Sequence, residues 1–190
     1  MLQLMLGLAL FLGAHSIAIV RPDWRRRALA RFGEVPWKLV YSLVSVLGVV
    51  LIVLGYGAMR ADPIVLYQSP TWLRHVALLL MLPVFPLVLA AYLPGRIQST
   101  LKHPMLVAVK LWAVAHLLAN GTLADLLLFG GFLAWAVVDR VSLKRRAAAP
   151  VPGAPAGKWN DWIALVAGVA LYVAFLLFLH RWLFGVAPIG

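Results

Sequence analysis

The five histidines of this chain, His15, His75, His103, His116 and His180, all lie in or beside long apolar stretches, and Lys110 lies inside one. An ionisable group placed in hydrocarbon is expensive, so each is a candidate for function. Neutral imidazole ligates haem iron and other metals and carries protons near neutral pH. The chain has no cysteine, which excludes disulfides, thiolate ligation of haem, iron–sulfur clusters and Cys-based zinc sites. Trp112, His116 and Asn120 recur at a spacing of four, so they share one helix face and set an imidazole beside a large aromatic ring. Other polar groups have structural readings. His75 and His180 each sit beside an arginine near a membrane interface, where an interhelical hydrogen bond accounts for them. Lys110 reaches the headgroups by snorkelling along its own helix. Thr122 and Asp125 have the spacing of a capping box, which makes Asp125 a helix cap before it is an acid. No nucleophile–base pair, P-loop or dinucleotide fingerprint is present.

The elements that must position these residues are helices in lipid. The 190 residues are 64% hydrophobic and 12% charged, with a mean hydropathy of +0.94, far from the composition of a soluble domain. Apolar runs near the length of a bilayer crossing cover Leu2–Val20, Leu39–Met59, Trp72–Tyr92, Met105–Asn120, Leu123–Val138 and Trp162–Phe184. The expected fold is an all-α, polytopic helical bundle of about six spans in one transmembrane domain. The fourth and fifth runs are short and separated only by Gly121 and Thr122, which suits a tight helical hairpin. Pro83 and Pro86 should kink the third. Ala147–Gly157, rich in Ala, Pro and Gly, reads as a flexible linker before the final span.

The basic residues report orientation. Arg21, Arg25, Arg26, Arg27, Arg31 and Lys38 follow the first run, and Arg140, Lys144, Arg145, Arg146 and Lys158 follow the fifth. Both connections are expected on the cytoplasmic side, which with six spans puts both termini outside, in the periplasm. The net charge of +11 is therefore assigned to topology and to anionic membrane lipid, with no nucleic acid as partner. Met1–Val20 lacks a basic n-region and a cleavage site, so it reads as a retained helix and not a signal peptide. Helical spans imply a bacterial inner membrane, since outer-membrane proteins are barrels.

Three segments carry a resemblance: His15-Ser16 with Arg21, then Lys102-His103-Pro104-Met105-Leu106, then Leu111-Trp112-Ala113-Val114-Ala115-His116-Leu117-Leu118-Ala119-Asn120-Gly121. Together they resemble the NnrU family of bacterial membrane proteins, from His15 to about Val138 and by extension over residues 2–138, with the linker and last span outside the matched part. That family is named for an association with nitrite and nitric oxide reduction, and it is related to the 15-cis-ζ-carotene isomerase, a membrane enzyme that uses haem b. The resemblance implies haem b as cofactor, with His15 and His116 as axial ligands of its iron and Trp112 and Asn120 flanking the second of them. Arg21 and Arg25–Arg27 lie near enough to His15 to pair with haem propionates. A cysteine near the haem of the isomerase falls at Ala113, so a thiolate-switching chemistry does not carry over. Along ideal helices His15 lies roughly 9 Å and His116 roughly 18 Å from the cytoplasmic end, which leaves His103 as an alternate partner for His15, and His75 or His180 for His116.

The leading functional expectation is a haem b protein acting as a redox or ligand-binding component of denitrification, or as an isomerase of a lipophilic polyene. Its partners are membrane lipid and a lipophilic substrate or membrane redox partner. A second is a non-catalytic assembly factor, for which Ala9 with Gly13, or Ala14 with Ala18, provide close-approach helix faces. A third is a methyltransferase of the isoprenylcysteine type, suggested by Lys102-His103-Pro104, although the acidic cofactor segment of that family is missing. The same tripeptide has a plain account as an interfacial start of a helix, with proline in its first turn.

Overall fold

A computed structural model describes residues 1–146 and 153–189. Helices run over α1 (Leu2–Val20), α2 (Pro22–Phe32), α3 (Glu34–Ala61), α4 (Thr71–Met81), α5 (Val84–Ala90), α6 (Arg96–Leu101), α7 (Pro104–Ala119), α8 (Leu123–Ser142) and α9 (Asn160–Ala174). A π-helical turn (Phe175–Leu179) carries α9 into α10 (His180–Phe184). Among the described residues the only extended pairing is an isolated antiparallel bridge between Val65 and Thr122, so the protein is all-helical as expected. Among the described residues four helical stretches are long and apolar enough to cross a membrane: Leu2–Val20, Glu34–Ala61, Thr71–Ala90 and Asn160–Phe184. The apolar α7 has 16 residues, about 24 Å of helix and short of a full hydrocarbon core. The 20 residues of α8 include Asp125, Asp139 and Arg140. Large apolar side chains on α3 point outward, Leu43 at 69% and Val53 at 62% exposure, which only a lipid environment makes favourable. This is a membrane protein.

The chain divides into two compact units. The first is Met1–Ser69 with Asn120–Arg146. In it α1 and α3 lie against one another, α8 packs on both, and α2 joins them. The α1–α3 contact is backbone on backbone. A Cβ at Gly7 would lie 2.6 Å from Ile52 N and 2.8 Å from Gly48 O, and one at Gly48 would lie 2.9 Å from Phe11 N. Small residues let membrane helices approach this closely and gain dispersion energy where no hydrophobic effect operates. Gly13, offered by the sequence as part of a face for a partner helix, stays outside this contact: nothing lies within 4 Å of a Cβ there.

The basic connection after α1 is itself helical. Pro22 stands in the first turn of α2 and Asp23 supplies an acid there, both favourable at a helix N-terminus. Trp24 meets Trp37 edge to face at 5.7 Å and holds α2 to α3, and Gly33, at φ +83, makes the turn between them. At the other end of α3, residues 62–69 close on the start of α8. Gly121 O accepts from Leu66 N at 2.8 Å and Tyr67 N at 3.1 Å, Leu123 N donates to Ile64 O at 2.8 Å, and Tyr67 Oη donates to Asn120 O at 2.6 Å. Any side chain at Gly121 would overlap the Tyr67 carbonyl. The capping box is present: Asp125 N donates to Thr122 Oγ1 at 3.3 Å and Thr122 N to Asp125 Oδ2 at 2.9 Å, and the Thr122 hydroxyl donates to the same Oδ2 at 2.6 Å.

The second unit is Pro70–Ala119 with the described part of Ala147–Gly190. The kink expected in the third span is there: α4 ends at Met81 and α5 begins at Val84. Pro83 has no N–H for Leu79 O, so Leu82 N divides between Leu78 O and Leu79 O at 3.2 and 3.3 Å. Pro86 fits directly on Gly168 of α9, where a Cβ would lie 2.5 Å from Pro86 Cα, and α7 covers α4 and α5. Of the expected linker, residues 147–152 lie outside the described residues, while Ala154 N donates to Tyr92 O at 2.9 Å. Pro155 O and Pro94 O accept from Asn160 Nδ2 at 2.9 and 2.8 Å.

Asp161 caps a helix that is not its own: its carboxylate accepts from Arg96 N at 2.8 Å and Ile97 N at 3.0 Å at the start of α6. Replacing Asp161 by alanine strands both donors and is expected to cost about 1–2 kcal/mol. Asp161→Asn, which keeps one acceptor oxygen, should recover part of this in detergent melting curves. Equal midpoints for wild type and Asp161→Ala would show that the cap is not formed.

Candidate functional site

His15 faces the interior of the first unit on α1. Its Nδ1 lies 2.7 Å from Phe11 O, one turn back. A carbonyl can only accept, so Nδ1 carries the proton and Nε2 is the basic nitrogen. Aromatic rings fix the imidazole: Phe11 stacks on it at 4.2 Å, Tyr41 of α3 is tilted at 5.1 Å, and Trp135 of α8 meets it edge on at 6.0 Å. The Trp135 indole nitrogen is buried and has no hydrogen-bond partner among the described residues, an unusual cost in a folded core.

A cavity of about 530 Å³ opens against His15, walled by α1, α2 and α3. Apolar lining comes from Ile17 and Leu29, aromatic lining from Trp37 and Tyr41, and charge from Arg25, Glu34 and Lys38. Of the expected arginine cluster, Arg25 is half-buried and lines this cavity, whereas Arg21, Arg26 and Arg27 are exposed. Arg26 pairs with Asp23. Lys38 pairs with Glu34 one turn earlier at 2.7 Å.

His116 stands on α7 in the second unit and repeats the arrangement. Its Nδ1 lies 2.8 Å from Trp112 O, and its ring is 5.3 Å from the Trp112 ring. Trp112 in turn packs against the buried cluster of Val84, Leu87 and Ala108. Asn120 follows the last residue of α7 and belongs to the first unit, where its carbonyl takes the Tyr67 hydroxyl. Burial, and then the Asp125 carboxylate, hold the Tyr67 phenol above its ordinary value, which keeps that donor protonated.

The remaining candidates have different settings. His75, exposed on α4, lines a shallow apolar hollow of about 390 Å³ with Leu78, Leu79, Leu82 and Tyr172. Lys102, at φ 62, makes a γ-turn in which His103 N donates to Leu101 O at 2.7 Å. His103 O then accepts from Leu106 N at 3.1 Å, and Pro104 opens α7. The basic-His-Pro motif is thus a turn and a helix start, as its structural account expected. His180 Nδ1 is bonded to Val186 O at 2.7 Å, a partner in the chain's own end and not on another helix.

Among the described residues no three or more His, Cys, Asp or Glu side chains converge as a bare metal ion would require. The chemistry on offer is that of oriented imidazoles, His15 and His116 each with the Nδ1 proton on the carbonyl one turn back. Such a bond fixes the tautomer and ring plane of a metal-ligating histidine. Nothing in the sequence alone marks Tyr41 and Trp135, and Lys38 stands there only as a topological charge; Trp37, Lys38 and Tyr41, within about one turn of α3, are the available signal.

No curated protein and no solved structure matches the chain. A family model described as NnrU protein matches residues 3–188. The match therefore extends past Val138 and takes in the last apolar stretch, Asn160–Phe184, and its partners around Pro94, which the resemblance had left out. With nearly all of its length matched, and with the three segments that carry the resemblance inside that match, this chain belongs to the NnrU family.

Proposed function

We propose that this NnrU-family protein binds haem b in the bacterial inner membrane, with His15 and His116 each offered as a residue that would hold it. In this reading six spans cross the bilayer, both termini lie outside, and α7 and α8 complete the count. The cofactor serves a redox or ligand-binding step linked to nitrite and nitric oxide reduction, or the isomerisation of a lipophilic polyene. Haem, when bound, supplies one-electron chemistry and an iron site for exogenous ligands.

One observation carries the reading: the two histidines singled out by family resemblance both donate Nδ1–H to the carbonyl four residues earlier, Phe11 and Trp112. That bond fixes the tautomer and ring plane of each imidazole, as it does in metal-ligating histidines. The residues fit such a group in further respects. The cavity at His15 has apolar and aromatic walls with cations among them, and the orphaned indole N–H of Trp135 stands near the imidazole. Phe11, Tyr41 and Trp135 pack around the ring and hold its orientation.

Protein expressed with haem supplied and purified in detergent should show a Soret band with low-spin α and β bands on reduction. His15→Ala or His116→Ala should each shift the spectrum to high spin and weaken haem retention by about tenfold or more, and the double variant should lose the band. Wild-type protein without a Soret band under these conditions rules the reading out. A second reading, a non-catalytic assembly factor, is favoured by the outward face of α1, where Ala9 and Gly13 are exposed and a Cβ at Gly13 would meet nothing within 4 Å. A stoichiometric membrane partner co-purifying without cofactor, and lost in Gly13→Leu, would support it.

A further inference from the structure

We infer that the cavity between α1, α2 and α3 receives the anionic head, carboxylate or phosphate, of an amphiphilic molecule, with Arg25 and Lys38 as its cationic partners and Glu34 as their internal competitor. The inference stands on the cavity and its charges, whether or not His15 ligates iron.

Arg25 is the starting point. It is half-buried on the cavity wall, unlike Arg21, Arg26 and Arg27, and it has no acidic partner among the described residues. A guanidinium that gives up water without gaining an anion is unfavourable, and its planar fork suits a carboxylate or phosphate. Lys38 lies on the same cavity and is occupied by Glu34 at 2.7 Å, with side chains 67% and 71% exposed. An exposed pair one helical turn apart is weak, so an entering anion displaces Glu34 at small cost. Apart from the His15 imidazole and the Tyr41 hydroxyl, the rest of the wall is apolar or aromatic, with Ile17, Leu29 and Trp37. The cavity also lies where the apolar α1 meets the basic α2, the level at which an amphiphile keeps its head at the interface and its body in hydrocarbon. Two molecules carry this chemistry, an anionic phospholipid and the propionate edge of haem.

The test uses the full chain in detergent and two probes. Native mass spectrometry is run with short-chain phosphatidylglycerol against phosphatidylcholine, and absorbance titration with haem b against its dimethyl ester, in which the propionates are neutral. The preference for the anionic form of at least one probe should fall about tenfold in Arg25→Gln/Lys38→Gln. It should rise about threefold in Glu34→Gln and change less than about twofold in the exposed control Arg26→Gln/Arg27→Gln. A gain in Glu34→Gln cannot come from misfolding. A preference confined to phosphatidylglycerol assigns the head to a lipid, and one confined to haem b assigns it to a propionate. If neither haem form binds, the cofactor reading fails while the lipid arm still decides the site. The inference is overturned if the exposed control falls as far as the cavity pair, if Glu34→Gln gives no gain, or if neither anionic probe is preferred.

Discussion

Gly55→Ala is expected to lower stability by about 3 kcal/mol, while Gly57→Ala, two residues along the same helix, raises it by about 0.5–1 kcal/mol. Alanine is the better helix former at both positions, so propensity alone predicts a gain in each. The surroundings separate them. A Cβ at Gly55 would overlap the backbone nitrogen of Leu4 and lie 2.7 Å from its Cα, whereas at Gly57 nothing lies within 4 Å. The atoms in the way are main chain, so no rotamer change relieves the overlap and α1 must move off α3. Leu4, 0% exposed, is the largest fully buried side chain among the described residues, and that movement also opens the approach at Gly7 and Gly48. Thermal unfolding in detergent reads both variants. A Gly55→Ala midpoint equal to or above that of Gly57→Ala would mean that the two helices do not lie in contact here. Because His15 is held by Tyr41 across the same pair of helices, Gly55→Ala should also loosen any ligand bound at His15.

Asp125→Ala should cost a similar amount, about 3 kcal/mol. The carboxylate is 3% exposed and accepts from three donors: Tyr56 Oη at 2.5 Å, Thr122 N at 2.9 Å and Thr122 Oγ1 at 2.6 Å. Removing it uncaps α8, unties α3 from α8, and leaves donors where lipid and protein offer them nothing else. Asp125→Asn should cost about half as much, since the amide oxygen serves Thr122 while the amide nitrogen donates to the Tyr56 oxygen. Tyr56→Phe, which deletes one bond and leaves the cap, should cost about 1 kcal/mol. A role as an acid would give a different pattern: Asp125→Asn would keep its melting temperature and lose function. The order Ala, then Asn, then Tyr56→Phe in melting temperature is what a structural clamp requires.

Much of this protein was legible in the order of its residues because the relevant physics is local. Apolar runs set where helices form in lipid, Pro83 breaks one because its missing N–H leaves Leu79 O without its usual partner, and Thr122 and Asp125 cap another because they are three residues apart. The histidine bonds to Phe11 O and Trp112 O are local too, four residues back on the same helix. In sequence Arg21–Lys38 is a basic connection between apolar runs, and α2 forms there because proline and aspartate suit its start and arginine its body.

What only the tertiary structure decided is which face of each helix turns inward. In water, apolar periodicity answers that question; in lipid it does not, because the side chains facing lipid are as apolar as those facing protein. The sequence offered Ala9 with Gly13, or Ala14 with Ala18, as faces for a partner helix, and Arg21 with Arg25–Arg27 as the cations near His15. Shape selected Gly7, Gly48 and Gly55 for the contact and Arg25 for the cavity. The capping of α6 by Asp161, 65 residues from Arg96, and the closing of Tyr67 on Gly121 were equally hidden. Such pairings arise from the fit of distant backbones, which no local run of residue types encodes.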